Sequence, residues 1–110
     1  MSKIKTKQLE SEIQIKLSEL IYELENEQAA QASVVEVILN NDNSVAKIYV
    51  SFLKENDEDS YFELRKASAF LRKELAHLLN TKKAPFLEFI LDNNLSRINE
   101  MEKLIKKAND

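Results

Sequence analysis

The residues with the clearest potential for chemistry are six cations in the second half of the chain, namely Arg65, Lys66, Arg72, Lys73, Lys82 and Lys83. The first four form two pairs spaced seven residues apart, and two turns of a helix bring such residues to one face. The small residues Ala67, Ser68 and Ala69 lie between them, so that a polyanion could approach the backbone. This pattern indicates phosphate contacts, with Lys47 as a more distant member. The alternative is a core helix whose basic residues merely face solvent. Considered on its own, the helix favours this alternative, because charged side chains usually lie on the solvent-exposed surface.

Charge is unevenly distributed along the chain. The formal net charge is −3, which by itself argues against nucleic-acid binding. Residues 1–59 contain 6 Lys and Arg against 12 Asp and Glu, whereas residues 60–110 contain 10 against 7. Because salt screens distant charges, a local basic surface can bind phosphate on a chain that is acidic overall.

The composition excludes several kinds of site. The 110 residues include no cysteine, no glycine and one histidine, His77. Disulfides, thiolate metal sites, glycine-rich phosphate loops and most zinc sites are ruled out, and neither a metal nor another cofactor is expected. No nucleophile has a partner that would activate it, so we expect neither an enzyme nor a small-molecule substrate. No apolar run is long enough for a membrane helix and the N-terminal residues are too charged for a signal peptide, which predicts a cytoplasmic protein without a membrane partner.

Apolar spacing predicts the elements that must position the cations. In chain order they are a helix over 3–25, a polar connector over 25–32, strands over 33–40 and 45–53, an acidic loop over 54–59, a helix over 60–80, a strand over Phe86–Leu91 and a helix over 95–108. The hairpin of the first two strands is antiparallel, and the helical crossover to the third favours a parallel pair. The sequence therefore predicts an α+β fold in a single domain over 1–110, with a mixed three-stranded sheet, helices on one face and a monomeric state.

Finer expectations concern the core. In the first strand, Val35, Val37 and Leu39 should share one face of the strand, with Val34 and Ile38 on the other. The apolar stripe of the central helix should contain Leu64, Ala67, Leu71, Leu75 and Leu78. Phe70 should meet the sheet from the middle of that helix. Ser60 should be its N-cap, with Glu63 completing a capping box.

Three segments together resemble bacterial ribosome-binding factor A. They are VAKIYVS at Val45–Ser51, LRKASAFLRKEL at 64–75 and KKAPFLEF at 82–89. The resemblance covers essentially the whole chain. No single segment is decisive, and it is the occurrence of all three segments in this order that makes the resemblance specific. Ala67-Ser68-Ala69 occupies the place of an alanine-any-glycine kink in that family, with Ala69 where the family has glycine. The residues that match the family pattern include Lys47, Arg72, Lys82 and Pro85.

The resemblance implies a type II KH-like fold, α-β-β-α(kink)α-β-α, and a non-enzymatic factor that binds the free small (30S) ribosomal subunit. It also implies a role in the processing and maturation of 16S rRNA and importance at low temperature. Lys47 and the six cations are accordingly the expected contacts with ribosomal RNA. The competing hypothesis is an acidic helical protein–protein adaptor without RNA binding, which a weak salt dependence of binding would distinguish.

Overall fold

A computed structural model describes residues 3–92 of the chain. Its elements are helix α1 (Lys3–Tyr22), helix α2 (Glu27–Ala30), strand β1 (Ser33–Leu39), strand β2 (Val45–Ser51), helix α3 (Glu58–Lys66), helix α4 (Ser68–Leu78) and strand β3 (Phe86–Leu91). The helix expected over 95–108 lies outside the described residues. Within the described range, none of the helices combines the length and hydrophobicity that crossing a bilayer requires.

The three strands form a mixed sheet in the order β1-β2-β3. β1 is antiparallel to β2, with Ile38 opposite Lys47, and β2 is parallel to β3, with Lys47 opposite Glu88. A hairpin joins the antiparallel pair, whereas α3 and α4 form the crossover that a parallel pair needs. Because the chain has no glycine, asparagines take left-handed turn conformations, as at Asn43 (φ 60°) and Asn80 (φ 54°). The predicted α+β class and sheet topology are confirmed.

The core lies between one face of the sheet and the helices. Its fully buried large apolar side chains come from α1, β2, α3 and α4, and they are Ile13, Leu17, Ile21, Ile48, Val50, Leu64, Leu71 and Leu75. Each such side chain contributes roughly 1.5–3 kcal/mol when it leaves water, so this cluster supplies a large part of the favourable free energy of folding. Lys47 alternates with buried neighbours on β2 and is exposed on the opposite face of the sheet.

Two predicted core residues of the central helix are exposed. Phe70 retains 55% of its surface and Leu78 retains 44%, whereas Leu79 packs against the core. Steps of four residues lead from Leu71 through Leu75 to Leu79, so the buried row of α4 bypasses Leu78. Phe70 is about 100° around the helix from Leu71, which places its ring outside that row.

Strand β1 contains a β-bulge between Val34 and Glu36. The extra residue interrupts the alternation of a regular strand. As a result Val35 is 38% exposed, while Val34 packs against the core. The predicted shared face was therefore wrong at Val35, which is exposed, whereas Val37 and Leu39 lie together on the buried face.

Helix α3 begins at Glu58, so the last two residues of the predicted acidic loop belong to its first turn. Asp57 is the N-cap: its Oδ1 accepts the Ser60 N–H at 3.1 Å and its Oδ2 accepts the Ser60 hydroxyl at 2.7 Å. These bonds, the hydroxyl first, hold the pKa of the Asp57 carboxyl below its usual value. The prediction of Ser60 as cap was wrong, and Glu63 instead accepts a hydrogen bond from the Asn26 amide at 2.9 Å.

The predicted polar connector over 25–32 contains the single turn of helix α2. Asn26 is its N-cap, because the side-chain oxygen accepts the Ala29 N–H at 3.0 Å. Ala29 is fully buried and joins the core, so this short segment packs against the larger helices rather than looping through solvent.

Side chains of α1 bond the backbone of the outer strand β1. The Gln14 amide donates to the Val34 carbonyl at 3.0 Å, and the Glu10 carboxylate accepts the Leu39 N–H at 2.8 Å. Helix α1 thus holds the strand by polar contacts as well as by its apolar face.

The outer strand β3 is bonded in the same manner by α3 and α4. The Ser68 hydroxyl donates to the Leu87 carbonyl at 3.3 Å, and the Tyr61 hydroxyl donates to the Phe89 carbonyl. These two bonds place the junction of α3 and α4 beside β3, where the predicted binding residues lie.

Candidate nucleic-acid interface

The central helix is broken at Ala67, which is the C-cap of α3 and the N-cap of α4. The Ala67 N–H donates to the Leu64 carbonyl at 3.0 Å, and the Ala67 carbonyl accepts the Leu71 N–H at 2.9 Å. Its backbone has φ −86° and ψ 1°, a conformation that alanine adopts without the left-handed geometry that requires glycine. The break expected within Ala67, Ser68 and Ala69 is therefore present, with the last two in the first turn of α4.

Four of the predicted binding residues converge beyond this break. Arg72 and Lys73 of α4 and Lys82 and Lys83 of the segment before β3 line one concave surface, hereafter the basic pocket. Small side chains form the rest of its lining, at Ala69, Ala76 and Ala84. Lys73, Lys82 and Lys83 are exposed, so their ammonium groups remain hydrated.

Arg72 differs from the three lysines because its guanidinium is held in place. Its Nε donates to the Ala84 carbonyl at 3.0 Å. Its central carbon lies 3.7 Å from the centre of the Phe86 ring, which is a close cation–π contact. The segment before β3 and the first residue of β3 thus both hold the guanidinium, which lines the basic pocket.

Arg65 occupies a neighbouring hollow between the helix break and β3. Tyr61, Ser68 and Glu88 are among the residues that line it. The Arg65 guanidinium carbon lies 5.7 Å from the Tyr61 ring, and the side chain is exposed. A phosphate contact at Arg65 would therefore be separate from the basic pocket.

Lys66 and Lys47 have different surroundings from the basic pocket. Lys66 Nζ is 3.1 Å from Glu63 Oε1 and 5.2 Å from the Phe62 ring, so this lysine already has an anionic partner. Lys47 lies on the outer face of the sheet beside Glu88 of β3. The seven predicted residues thus comprise one cluster of four, a neighbouring Arg65 and two outlying lysines.

Phe86 is the site residue that sequence reasoning missed. It is the first residue of β3 and is 60% exposed, although strand alternation buries the next residue, Leu87. The available signal was an aromatic residue at an outward position of a strand, directly after Pro85 and three residues after the second of two lysines. In residues 3–92 no group of acidic or histidine side chains is arranged to hold a metal ion.

The family model for Ribosome-binding factor A matches residues 5–105. The chain belongs to the ribosome-binding factor A family. Its relatives in this family include Ribosome-binding factor A of Malacoplasma penetrans, with 34% identity over 97% of this chain and 94% of the relative. The Natranaerobius thermophilus member is 30% identical over 99% of this chain and 86% of its own length. The expected family membership is confirmed.

Structures of the ribosome-binding factor A family share this fold. The crystal structure of the Thermus thermophilus member superimposes with a TM-score of 0.72 at 30% identity, covering 78% of this chain and 93% of that chain. A homology model of the Thermus thermophilus protein, fitted into the cryo-EM map of its complex with 30S, gives a TM-score of 0.65 at 30% identity. That match covers 76% of this chain and 90% of the fitted one.

Proposed function

We propose that this protein binds the free small (30S) ribosomal subunit through the basic pocket and assists the processing and maturation of 16S rRNA. The observation that carries the proposal is the convergence of four cations around small side chains, because neutralised phosphates release their counterions. The Thermus thermophilus family member fitted into a 30S complex supports the choice of partner. Importance at low temperature, which the sequence resemblance implies, belongs to the same proposal.

The proposal also covers how the protein acts. We infer a cytoplasmic binding factor that works as a monomer, without catalysis or a cofactor, and that forms one type II KH-like domain over 1–110. The element order and the break at Ala67 support the KH-like assignment. A basic surface of this kind positions a protein on RNA without reading the base sequence.

The predicted residues contribute unequally in this proposal. The basic pocket supplies the central contacts, and Arg65 supplies a further contact beside it. Lys66 contributes less, because binding a phosphate would compete with its ion pair to Glu63. Lys47 is a peripheral contact on the outer face of the sheet.

Co-sedimentation with purified 30S subunits tests the proposal. The variant Lys73→Ala/Lys82→Ala/Lys83→Ala removes three exposed cations, so the fold should remain intact while binding weakens. The slope of log affinity against log salt should fall by about one for each lost phosphate contact. Lys54→Ala, which removes an exposed lysine outside the basic pocket, is the matched control and should change neither quantity.

The opposite result would favour the competing function. If the folded triple variant binds 30S subunits like the parent at several salt concentrations, the basic pocket is a solvated surface. An acidic adaptor that contacts a protein then becomes the better hypothesis, because its binding depends much less on counterion release.

A further inference from the structure

Arg72 differs from the lysines of the basic pocket because its guanidinium is held between a backbone carbonyl and the ring of Phe86. The Ala84 carbonyl accepts the Nε donor of Arg72, and among residues 3–92 no hydrogen bond or ion pair engages the two terminal nitrogens, which can bind a ligand. The guanidinium carbon of Arg72 lies 3.7 Å from the centre of the Phe86 ring, so the ring is in close contact with the cation. A planar guanidinium fixed in this way presents two parallel donors, which match two oxygens of one phosphate.

We propose that Phe86 is a positioning residue, whose ring holds the Arg72 guanidinium so that both terminal nitrogens bind one RNA phosphodiester. This inference rests on the proposed function, since it assumes that the basic pocket meets RNA. Arg72 makes the phosphate contact itself, while Phe86 acts through Arg72.

Burial does not account for the position of Phe86. The residue retains 60% of its surface and therefore adds little to the core. A second exposed phenylalanine offers a comparison, because Phe62 also lies under a cation, Lys66. That pair is wider, at 5.2 Å, and Lys66 is engaged by Glu63 at 3.1 Å. Among the ring contacts of the described residues, the Arg72 contact is the shortest and is the one whose cation lines the basic pocket.

Binding of the full-length chain to 30S subunits at several salt concentrations tests this role. Phe86→Ala removes no charge, yet it should weaken binding about two- to fivefold, the range expected for an exposed cation–π contact. It should also lower the salt slope by nearly as much as Arg72→Ala does, because a misplaced guanidinium releases no counterion. Phe62→Ala, the matched control, should leave affinity and slope unchanged.

A double-mutant cycle separates positioning from direct contact with RNA. In the Arg72→Ala background, Phe86→Ala should have no further effect, and Phe86→Tyr in the parent should retain full binding because the ring remains. Arg72→Lys, which keeps the charge but loses the planar donors, should bind as weakly as Phe86→Ala. Far-UV circular dichroism of each variant confirms that the compared proteins are folded.

The outcomes distinguish this inference from the proposed function. If Lys73→Ala and Arg72→Ala bind like the parent, the RNA surface is refuted and this inference with it. If those variants weaken binding but Phe86→Ala and Phe86→Tyr both match the parent, only the positioning role is refuted. Equal losses from Phe86→Ala with and without Arg72 would also overturn it, because the ring would then contact RNA independently.

Discussion

Replacing Leu71 by alanine should remove a large part of the stability of the fold. Leu71 is fully buried in α4, and the change deletes carbon groups worth about 0.8 kcal/mol each by transfer, or roughly 2.4 kcal/mol for three. A cavity term raises the expected loss to about 3 kcal/mol, within the usual range for such changes. With a urea dependence of about 1–3 kcal/mol per molar, the unfolding midpoint should fall by about 1–3 M.

The neighbouring Phe70→Ala is the control for this measurement. Phe70 precedes Leu71 in the same helix but is 55% exposed, so its replacement should change the free energy of unfolding by no more than about 0.5 kcal/mol. Urea unfolding followed by the helical circular dichroism signal gives both values. The assignment of the buried row would be refuted if Leu71→Ala lowered the free energy of unfolding by less than about 0.5 kcal/mol, or if Phe70→Ala lowered it by more than Leu71→Ala does.

Three further predictions concern polar contacts. Asp57→Asn should lower the free energy of unfolding at pH 7, and the difference from the parent should shrink as the pH falls below about 4. Because the pKa of Asp57 is depressed in the folded protein, its charged carboxylate stabilises the fold above the unfolded-state pKa, and this stabilisation is lost on protonation. Urea unfolding at several pH values measures the difference. Tyr61→Phe should reduce the free energy of unfolding by about 0.5–1.5 kcal/mol in thermal unfolding, because the hydroxyl that donates to β3 is lost. Arg72→Ala should cost about 1 kcal/mol and Lys73→Ala close to none, since only Arg72 bonds the backbone; equal unfolding temperatures for the two variants would contradict this.

The topology was predictable because two signals agreed. The alternation of apolar and polar residues indicated the strands, and the helix between the second and third strands indicated a crossover to a parallel β3. The bulge at Val35 was not readable, because an inserted residue alters pairing without leaving a distinctive residue type. The predicted N-cap of α3 was wrong because Asp57 and Ser60 are both good capping residues. In the structure Asp57 is the cap, and the Ser60 hydroxyl donates to it.

The sequence indicated which residues belong to the candidate site, but it did not indicate which of them lie next to one another. Spacing of seven residues implies a shared face only along a continuous helix, and the break at Ala67 interrupts that continuity. Lys66 therefore pairs with Glu63, while Arg72 joins the lysines before β3. The contact of Arg72 with Phe86 joins separate elements, so no local pattern could reveal it.

The bonds from helix side chains to the outer strands restrict how this protein can associate. Adding a strand from a partner requires unpaired backbone groups at a sheet edge. On β1 such a strand would have to displace Gln14 and Glu10, and on β3 it would have to displace Ser68 and Tyr61. We therefore expect this protein to bind a partner through a surface that is already formed, without adding a strand to the sheet, so that the sheet stays intact on binding.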